Sequence, residues 1–222
     1  MKNQGSELLP RALWPVDWRR LQRAALPTLG DLLLALIYAL FVRISMGAAL
    51  RGDSGALMLA VQELSIVLLV LTRRRAHVTV AGDSPPAVLA WCGTILPLVL
   101  RPFGLAPAPL AMVGSVTQLV GGLLVLLATL RLGRSFGIVA ANRGIQTGGP
   151  YRVVRHPIYA AYVLAFGGFV LAHPAPINVA ILATWLVVQV LRVRAEERLL
   201  MRDTRYELYA RQVRYRLIPG WW

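Results

Sequence analysis

The chain alternates between long apolar runs and short polar stretches rich in arginine. The apolar runs cover residues 31–50, 56–72, 87–100, 110–130, 158–172 and 177–201. Continuous apolar runs near 20 residues are typical of bilayer-spanning helices, and the ten-residue alternating segments of an outer-membrane barrel are absent. The pattern therefore predicts an all-α, polytopic transmembrane helical protein with about six spans.

The last two apolar runs are predicted to form a helical hairpin, since only the sequence HPAP at 173–176 separates them. The second run continues without a helix breaker to about residue 201, which corresponds to roughly 37 Å of helix. The hydrocarbon layer is only about 30 Å thick. The helix is therefore expected to leave the membrane and to carry RVRAEERLL just outside it.

Composition supports a membrane protein and suggests an orientation. The 222 residues are 57% hydrophobic and 15% charged, whereas about 25% of the residues of a soluble domain are charged. With a cytoplasmic N-terminus, nearly all basic residues of the loops fall on the cytoplasmic side, and only Arg51 and Arg101 fall on the other side. We expect a multi-pass protein of a bacterial inner membrane with both termini in the cytoplasm. We interpret the net charge of +14 as favouring the lipid bilayer, rather than nucleic acid, as the partner of the chain.

Two parts of the chain are predicted to differ in role. Residues 1–130 contain a polar lead and four transmembrane helices, and residues 131–222 contain a polar stretch, the helical hairpin and a tail. Within the first part, Arg43 and Glu63 are charges inside apolar spans. Such charges are costly unless they are paired or functional. We expect an ion pair that holds the first two spans together, with a polar wall of a substrate cavity as the alternative.

The candidate site combines the stretch ANRGIQTGGPYRVVRHPIY with RVRAEE at the end of the last helix. The hairpin brings both to the cytoplasmic side. Pro157 suits the first turn of a helix, so Arg155 and His156 precede helix amides that attract anions. Arg192 and Glu196 are four residues apart and share one helical face.

This combination suits a ligand that carries both a carboxylate and a cation. Arg155 and the helix amides suit the carboxylate, Glu196 suits an amine or ribose hydroxyls, and Tyr151 and Tyr159 offer flat faces for adenine or a sulfonium. S-adenosylmethionine has all of these parts. The alternative is that the arginines contact lipid headgroups and that Glu196 and Glu197 form a solvated salt-bridge face. No metal site is expected, because the three histidines fall on different loops.

The stretch GGPYRVVRHPIYAAY, followed by RVRAEERLL and YELYARQVRYRLIP, resembles the isoprenylcysteine carboxyl methyltransferase family and the related phospholipid methyltransferases. The shared pattern is Gly-x-Tyr, then Arg-His-Pro-x-Tyr, a helical hairpin, Arg-x-x-x-Glu-Glu-x-x-Leu and a tyrosine-rich tail. The resemblance covers about residues 131–219. Two departures stand out: Ala160 and Ala161 replace a glycine, and the Phe-Gly pair after Glu-Glu is missing.

The resemblance implies a cytoplasmic pocket for S-adenosylmethionine and a lipophilic methyl acceptor. It implies that Arg192 holds the acceptor's carboxylate and that Arg192 and Glu196 are the catalytic residues. Together with the residue-based argument, the expected cofactor-binding set is Arg143, Gly144, Ile145, Gln146, Tyr151, Arg155, His156, Pro157, Ile158, Tyr159, Glu196 and Glu197.

The expected function is S-adenosylmethionine-dependent methylation of a lipophilic acceptor, with the carboxylate of an isoprenylcysteine-like or other amphiphilic molecule favoured. The alternatives are a membrane NADPH-dependent reductase of the sterol-reductase type and a non-catalytic protein that binds anionic lipid. The sequence leaves open whether the acceptor is a carboxylate, an amine or a thiol, and it leaves the oligomeric state open.

Overall fold

The computed structural model describes residues 29–52, 54–72, 78–79, 85–104, 106–132, 141–142 and 145–222. In chain order the elements are α1 (Leu29–Ala49), α2 (Ser54–Thr72), β1 (Val78–Thr79), α3 (Pro85–Ile95), α4 (Ala108–Leu132), β2 (Ala141–Asn142), α5 (Pro157–Ala172), α6 (Pro176–Leu200) and α7 (Thr204–Gln212). Single 3₁₀ turns at Leu96–Val99 and Gly149–Arg152 follow α3 and precede α5. The strands β1 and β2 pair antiparallel. The predicted polar lead, residues 1–28, lies outside the described residues.

All six predicted apolar segments are helical, which confirms the all-α class. Three segments are long and apolar enough to cross a bilayer, namely Leu32–Ala49, Ala108–Leu132 and Pro176–Leu200. The other three, Gly55–Leu68, Ala87–Val99 and Pro157–Ala172, are shorter apolar helices of 10–17 residues. The number of crossings and the side on which the termini lie remain predictions.

The outer faces of the long helices are apolar. Leu36 and Leu40 on α1, and Leu123, Leu127 and Leu130 on α4, are all exposed. Extended exposed apolar surface of this kind marks contact with a membrane. The burial pattern therefore agrees with helices that face lipid on one side and each other on the other.

Helices α4 and α5 cross at small residues. A Cβ atom added to Gly121 of α4 would meet the backbone of Ala165, and one added to Gly168 of α5 would meet the backbone of Gln118. These glycines let the two helix backbones approach closely, as small residues do in membrane helix pairs. Gly122 and Gly167 face open space and have no such role.

The N-terminal helices are joined to the hairpin by buried polar contacts. The Trp185 indole of α6 donates to the carbonyl of Gly93 in α3 at 2.9 Å, and the Tyr38 hydroxyl of α1 donates to the carbonyl of Thr94 at 2.6 Å. Trp185 is almost completely buried, and its ring meets Phe166 of α5 edge-on at 5.1 Å. These contacts place α3 beside α6 and α1 beside α3.

Candidate active site

A tight turn begins the site. Gly149 has a φ of +61°, a backbone conformation that favours glycine, and it starts the 3₁₀ turn Gly149–Arg152. The turn buries the ring of Tyr151 against Tyr206 and Tyr209 of α7. Pro157 then begins α5, and His156 stands at the helix N-cap. The predicted arrangement of turn, histidine and helix start is therefore present.

The two sequence motifs touch each other. The Tyr159 hydroxyl donates to Glu196 Oε2 at 2.7 Å, and His156 Nε2 lies 2.9 Å from Glu197 Oε1. The rings of His156 and Tyr159 stack at 5.6 Å between centroids. The start of α5 and the end of α6 therefore form one polar cluster, as the hairpin prediction required.

Glu197 is the centre of this cluster. Its carboxylate accepts hydrogen bonds from Nε and Nη2 of Arg155 at 2.8 Å each, from the Tyr206 hydroxyl at 2.8 Å and from Arg216 Nε at 3.3 Å, in addition to His156. Glu197 is buried. A buried carboxylate needs this many donors to offset the loss of water. The five contacts tie α6 to the turn, to α7 and to the tail.

The charge of Arg155 is retained by its partners. Burial alone would lower the pKa of Arg155, but its hydrogen bond and charge attraction to Glu197 raise that pKa above its ordinary value. The pKa of Tyr206 is raised by burial and then by the negative charge of Glu197. Both groups therefore stay protonated and act as hydrogen-bond donors to the carboxylate.

The tail uses the donors that were expected to hold a ligand's carboxylate. The backbone amides of Arg155 and His156 donate to the carbonyls of Tyr215 and Arg216, each at 2.9 Å. The Arg155 guanidinium also donates to the carbonyls of Val213 and Arg214. The structure differs from the expectation here, because these donors bind the chain's own C-terminal segment. The ligand-binding role expected of Arg155 and Glu197 stays a prediction.

Arg192 lies deeper along α6 than the glutamates. Its side chain is buried, and its guanidinium lies over the Tyr159 ring at 5.1 Å from the ring centroid. A cation over a tyrosine face is stabilised by the ring electrons. Arg192 and Glu196 thus approach Tyr159 from one helix, one at the ring face and the other at the hydroxyl.

One cavity joins this cluster to the interior of the helix bundle. Its empty space is about 1320 Å³ when the open solvent at its mouth is included. Along α6 its wall is formed by Trp185, Gln189, Arg192, Glu196 and Leu200, a stretch of roughly 22 Å. The cavity therefore runs along one helix face from the charged end of α6 to its apolar middle.

The predicted site residues divide into three groups. The cavity wall contains Ile145, Gln146, Tyr151, Arg155, His156, Ile158, Tyr159, Arg192 and Glu196. Pro157 and Glu197 are buried beside the wall rather than on it. Arg143 and Gly144 lie outside the described residues. We name the polar end of the cavity, formed by Gln146, Tyr151, His156, Tyr159 and Glu196, the entrance.

The inner end of the cavity has a polar lining that sequence reasoning mostly missed. Tyr38 of α1, Gln62 and Glu63 of α2, Thr94 of α3 and Gln189 of α6 contribute to it, and we name these five residues the deep chamber. Glu63 was singled out by its charge. For Gln189 a signal existed, since it shares a helix face with Arg192 and Glu196.

The expected ion pair between Arg43 and Glu63 is not formed. Arg43 is exposed on α1, whereas Glu63 is buried and lines the cavity. Equal sequence distance from the turn placed the two residues at a similar depth, but helix rotation points their side chains in different directions. The alternative interpretation, a polar wall of a cavity, describes the observed position of Glu63.

Comparisons with known proteins agree with the helical hairpin and its motifs. No curated protein matches the chain. Residues 110–206 match the sequence model of the family described as phospholipid methyltransferase, so the match begins within α4 and ends in α7. It covers less than half of the chain and excludes α1, α2 and α3. The match supports a membrane methyltransferase that acts on lipid. Residues 110–206 are therefore similar to the phospholipid methyltransferase family.

Proposed function

We propose that the chain transfers a methyl group from S-adenosylmethionine to a lipophilic acceptor, most readily the carboxylate of an isoprenylcysteine-like or other amphiphilic molecule. The observation that carries the proposal is the single cavity that connects Glu196 and His156 to a wall of apolar residues including Phe166. A polar cofactor and an apolar acceptor need such a continuous path to meet. The entrance faces the cytoplasm in this proposal.

The residues of the entrance fit the parts of S-adenosylmethionine. Glu196 is half-buried, and its carboxylate complements the positive amine of the cofactor. Tyr151 and Tyr159 line the same cavity as Glu196, and the proposal assigns the adenine to this aromatic part of the entrance. Burial, and then the charge of Glu196, raises the pKa of Tyr151, so its hydroxyl stays neutral beside the cofactor.

Arg192 is assigned to the acceptor. Its guanidinium is held over Tyr159, one helical turn deeper than Glu196, where a carboxylate acceptor would find a fixed positive charge. When bound, S-adenosylmethionine supplies a methyl group on a positively charged sulfur: a carboxylate lone pair forms the new bond to the methyl carbon, and the electrons of the breaking carbon–sulfur bond stay on sulfur. A carboxylate is already deprotonated, so the chain only has to orient the acceptor and exclude water.

The proposal is tested by two substitutions with different expected effects. Glu196→Ala should lower the affinity for tritiated S-adenosylmethionine in detergent by at least about tenfold, since hydrogen bonds to charged groups are strong. Arg192→Ala should leave that affinity nearly unchanged and abolish methyl transfer to lipid. The matched control is Glu207→Ala, which removes an exposed carboxylate on α7 outside the entrance.

Normal cofactor affinity in Glu196→Ala would place the cofactor elsewhere. Saturable binding of NADPH by the wild-type protein, without binding of S-adenosylmethionine, would favour the reductase alternative. The absence of any saturable nucleoside binding would favour a lipid-binding protein without catalysis.

A further inference from the structure

We propose that the deep chamber recognises a second polar group of the methyl acceptor, besides the carboxylate assigned to Arg192, and that this second group carries hydrogen-bond donors. The proposal rests on the proposed function, because the acceptor is defined by methyl transfer. The structure brings Gln62 and Glu63 of α2 and Gln189 of α6 into one wall of the cavity that also holds Arg192. Residues far apart in the sequence thereby line one cavity.

The deep chamber contains buried polar atoms without protein partners. Within the described residues, neither amide atom of Gln62 has a hydrogen bond, and the same holds for Glu63 Oε2 and Gln189 Oε1. These side chains belong to residues that are only 4%, 8% and 3% exposed, respectively. Leaving a buried polar atom unpaired is unfavourable. Four such atoms on residues that line one cavity therefore indicate a site whose ligand completes their hydrogen bonds.

The remaining two residues of the deep chamber act as support. The Tyr38 hydroxyl donates to the Thr94 carbonyl, and the Thr94 hydroxyl donates to the Ala90 carbonyl. The first bond holds α1 against α3 and the second lies within α3, so both hydroxyls are paired by the chain itself. Within the chamber the unpaired atoms thus belong to Gln62, Glu63 and Gln189, which separates its ligand-binding part from its structural part. Two further unpaired atoms among the described residues, Gln118 Oε1 and Thr129 Oγ1, do not line the cavity.

The unpaired atoms define the chemistry of the ligand. Three are oxygens that accept hydrogen bonds, and one, Gln62 Nε2, is a donor. A group rich in donors, such as an ammonium, several hydroxyls or an amide N–H, satisfies this set better than a bare carboxylate. The Glu63 carboxyl adds negative charge when it is ionised, which favours an ammonium among these groups.

Arg192 and the deep chamber are close enough to act on one molecule. A Cβ added to Gly93 would lie 2.9 Å from Gln189 Oε1 and 3.3 Å from Arg192 Nη1, so both side chains border the space beside this glycine. An acceptor with an anionic group at Arg192 can therefore place a donor group at Gln189. Leu59, Ile66 and Leu98 on the same cavity wall suit its hydrocarbon part.

The inference assigns a role to helices that lie outside the family match. Four of the five deep-chamber residues, at positions 38, 62, 63 and 94, precede residue 110, where the match begins. The matched region supplies Arg192 and Glu196. Acceptor selection in this chain is therefore shared between Gln62 and Glu63 of α2 and Gln189 of α6, while α1 and α3 support the chamber.

The experiment uses the full chain in detergent with a bacterial total lipid extract and S-adenosylmethionine labelled in its methyl group. Gln62→Leu and Gln189→Leu keep the side-chain volume but remove the hydrogen bonds. Each should raise the lipid concentration for half-maximal methyl transfer by about tenfold. The affinity for S-adenosylmethionine should change less than about twofold. The matched control is Gln118→Leu, which alters a buried glutamine that bonds Gly55 outside the cavity.

A second measurement does not depend on turnover. The lipid extract, without S-adenosylmethionine, should raise the melting temperature of the wild-type protein, and this rise should be smaller in Gln62→Leu and Gln189→Leu. Chamber variants that match the wild type in both measurements overturn the inference while leaving the proposed function intact. A wild-type protein that the extract neither stabilises nor supplies with a methyl acceptor also overturns the inference. Failure of S-adenosylmethionine to bind the wild type overturns the proposed function itself.

The variant Glu63→Gln distinguishes an ammonium donor from hydroxyl or amide donors on the acceptor. An ammonium should lose most of its binding in this variant, because the negative charge is removed. Hydroxyl or amide donors should bind nearly as before, because the amide introduced at position 63 still offers an accepting oxygen. Mass spectrometry of the labelled product then identifies which lipid class carries that group.

Discussion

The cluster around Glu197 and the deep chamber are both buried, but they differ in how many of their polar atoms have hydrogen-bond partners. Every donor around Glu197 comes from the chain itself, namely Arg155, His156, Tyr206 and Arg216. In the deep chamber, Gln62, Glu63 and Gln189 keep unpaired atoms within the described residues. A buried polar group with full pairing stabilises a fold, whereas one without pairing is costly unless a ligand supplies the partner. The difference separates the frame of the site from its binding surface.

Neighbouring glutamates show the same contrast at the entrance. Glu197 is buried beneath the turn and is surrounded by donors, whereas Glu196 lies on the cavity wall. Among the described residues, Glu196 accepts one hydrogen bond, from Tyr159. Adjacent positions on a helix point about 100° apart, so one glutamate meets the tail and the other meets the cavity. We therefore infer that Glu197 positions the entrance while Glu196 contacts the cofactor.

The largest expected effect is that of Glu197→Ala. Removal of one member of a buried charged cluster costs about 3–5 kcal/mol, because Arg155 would remain buried without its partner. We expect a strongly lowered melting temperature in detergent and release of the C-terminal segment, measured by limited proteolysis. An unchanged melting temperature together with lost cofactor binding would make Glu197 a direct ligand and would remove the contrast with Glu196.

The next effect is a loss of stability at alkaline pH. Burial raises the pKa of Tyr151, Tyr206 and Tyr209 above the ordinary tyrosine value near 10. At a pH between the tyrosine pKa of the unfolded chain and that of the folded chain, only the unfolded chain loses the hydroxyl protons. The free energy of unfolding therefore falls as the pH rises above about 10. The slope approaches about 1.4 kcal/mol per pH unit for each buried tyrosine. Thermal unfolding from pH 8 to pH 11 measures it.

The control for the pH effect compares substitutions of a buried and an exposed tyrosine. Tyr206→Phe should reduce the fall in unfolding free energy per pH unit by the contribution of one buried tyrosine. Tyr215→Phe should leave the slope unchanged, because Tyr215 is exposed. Equal slopes in both variants would show that the alkaline loss arises elsewhere in the chain.

A smaller effect is expected for Tyr206→Phe at neutral pH. The variant removes one of several donors to Glu197, and a hydrogen bond of this kind is worth about 1–2 kcal/mol. Chemical unfolding at pH 7 should show this loss with no change in the acceptor concentration required for turnover. A large change in that concentration would mean that the cluster and the deep chamber are energetically coupled.

The smallest expected effect is that of Gly93→Ala. The added methyl would press on the flexible ends of Gln189 and Arg192, which can shift to accommodate it. The acceptor concentration for half-maximal turnover should rise severalfold, and the affinity for S-adenosylmethionine should remain as in the wild type. Weakened cofactor binding in this variant would show that the entrance and the deep chamber do not act separately.

Much of the hairpin was predictable from local sequence. Pro157 at a helix start, glycines in the preceding turn and the length of the final helix are local signals, and the structure agrees with each. The partner choice of Arg155 was not predictable. The chain's own tail returns to occupy the donors of Arg155 and His156, and residues 213–216 carry no signal for that return because only backbone carbonyls accept the bonds.

The apolar pattern by itself determined that the protein is a bundle of apolar helices, since each run must satisfy its backbone hydrogen bonds within a helix. The short motifs by themselves determined that Tyr159 and Glu196 belong to one site, because a hairpin returns the chain to the same side. Only the tertiary structure decided that Glu63 faces a cavity rather than Arg43, and that Gln62 and Gln189 share that cavity. The physical reason is that helix rotation and inter-helix packing depend on all neighbouring side chains at once, whereas helix formation depends on the segment alone.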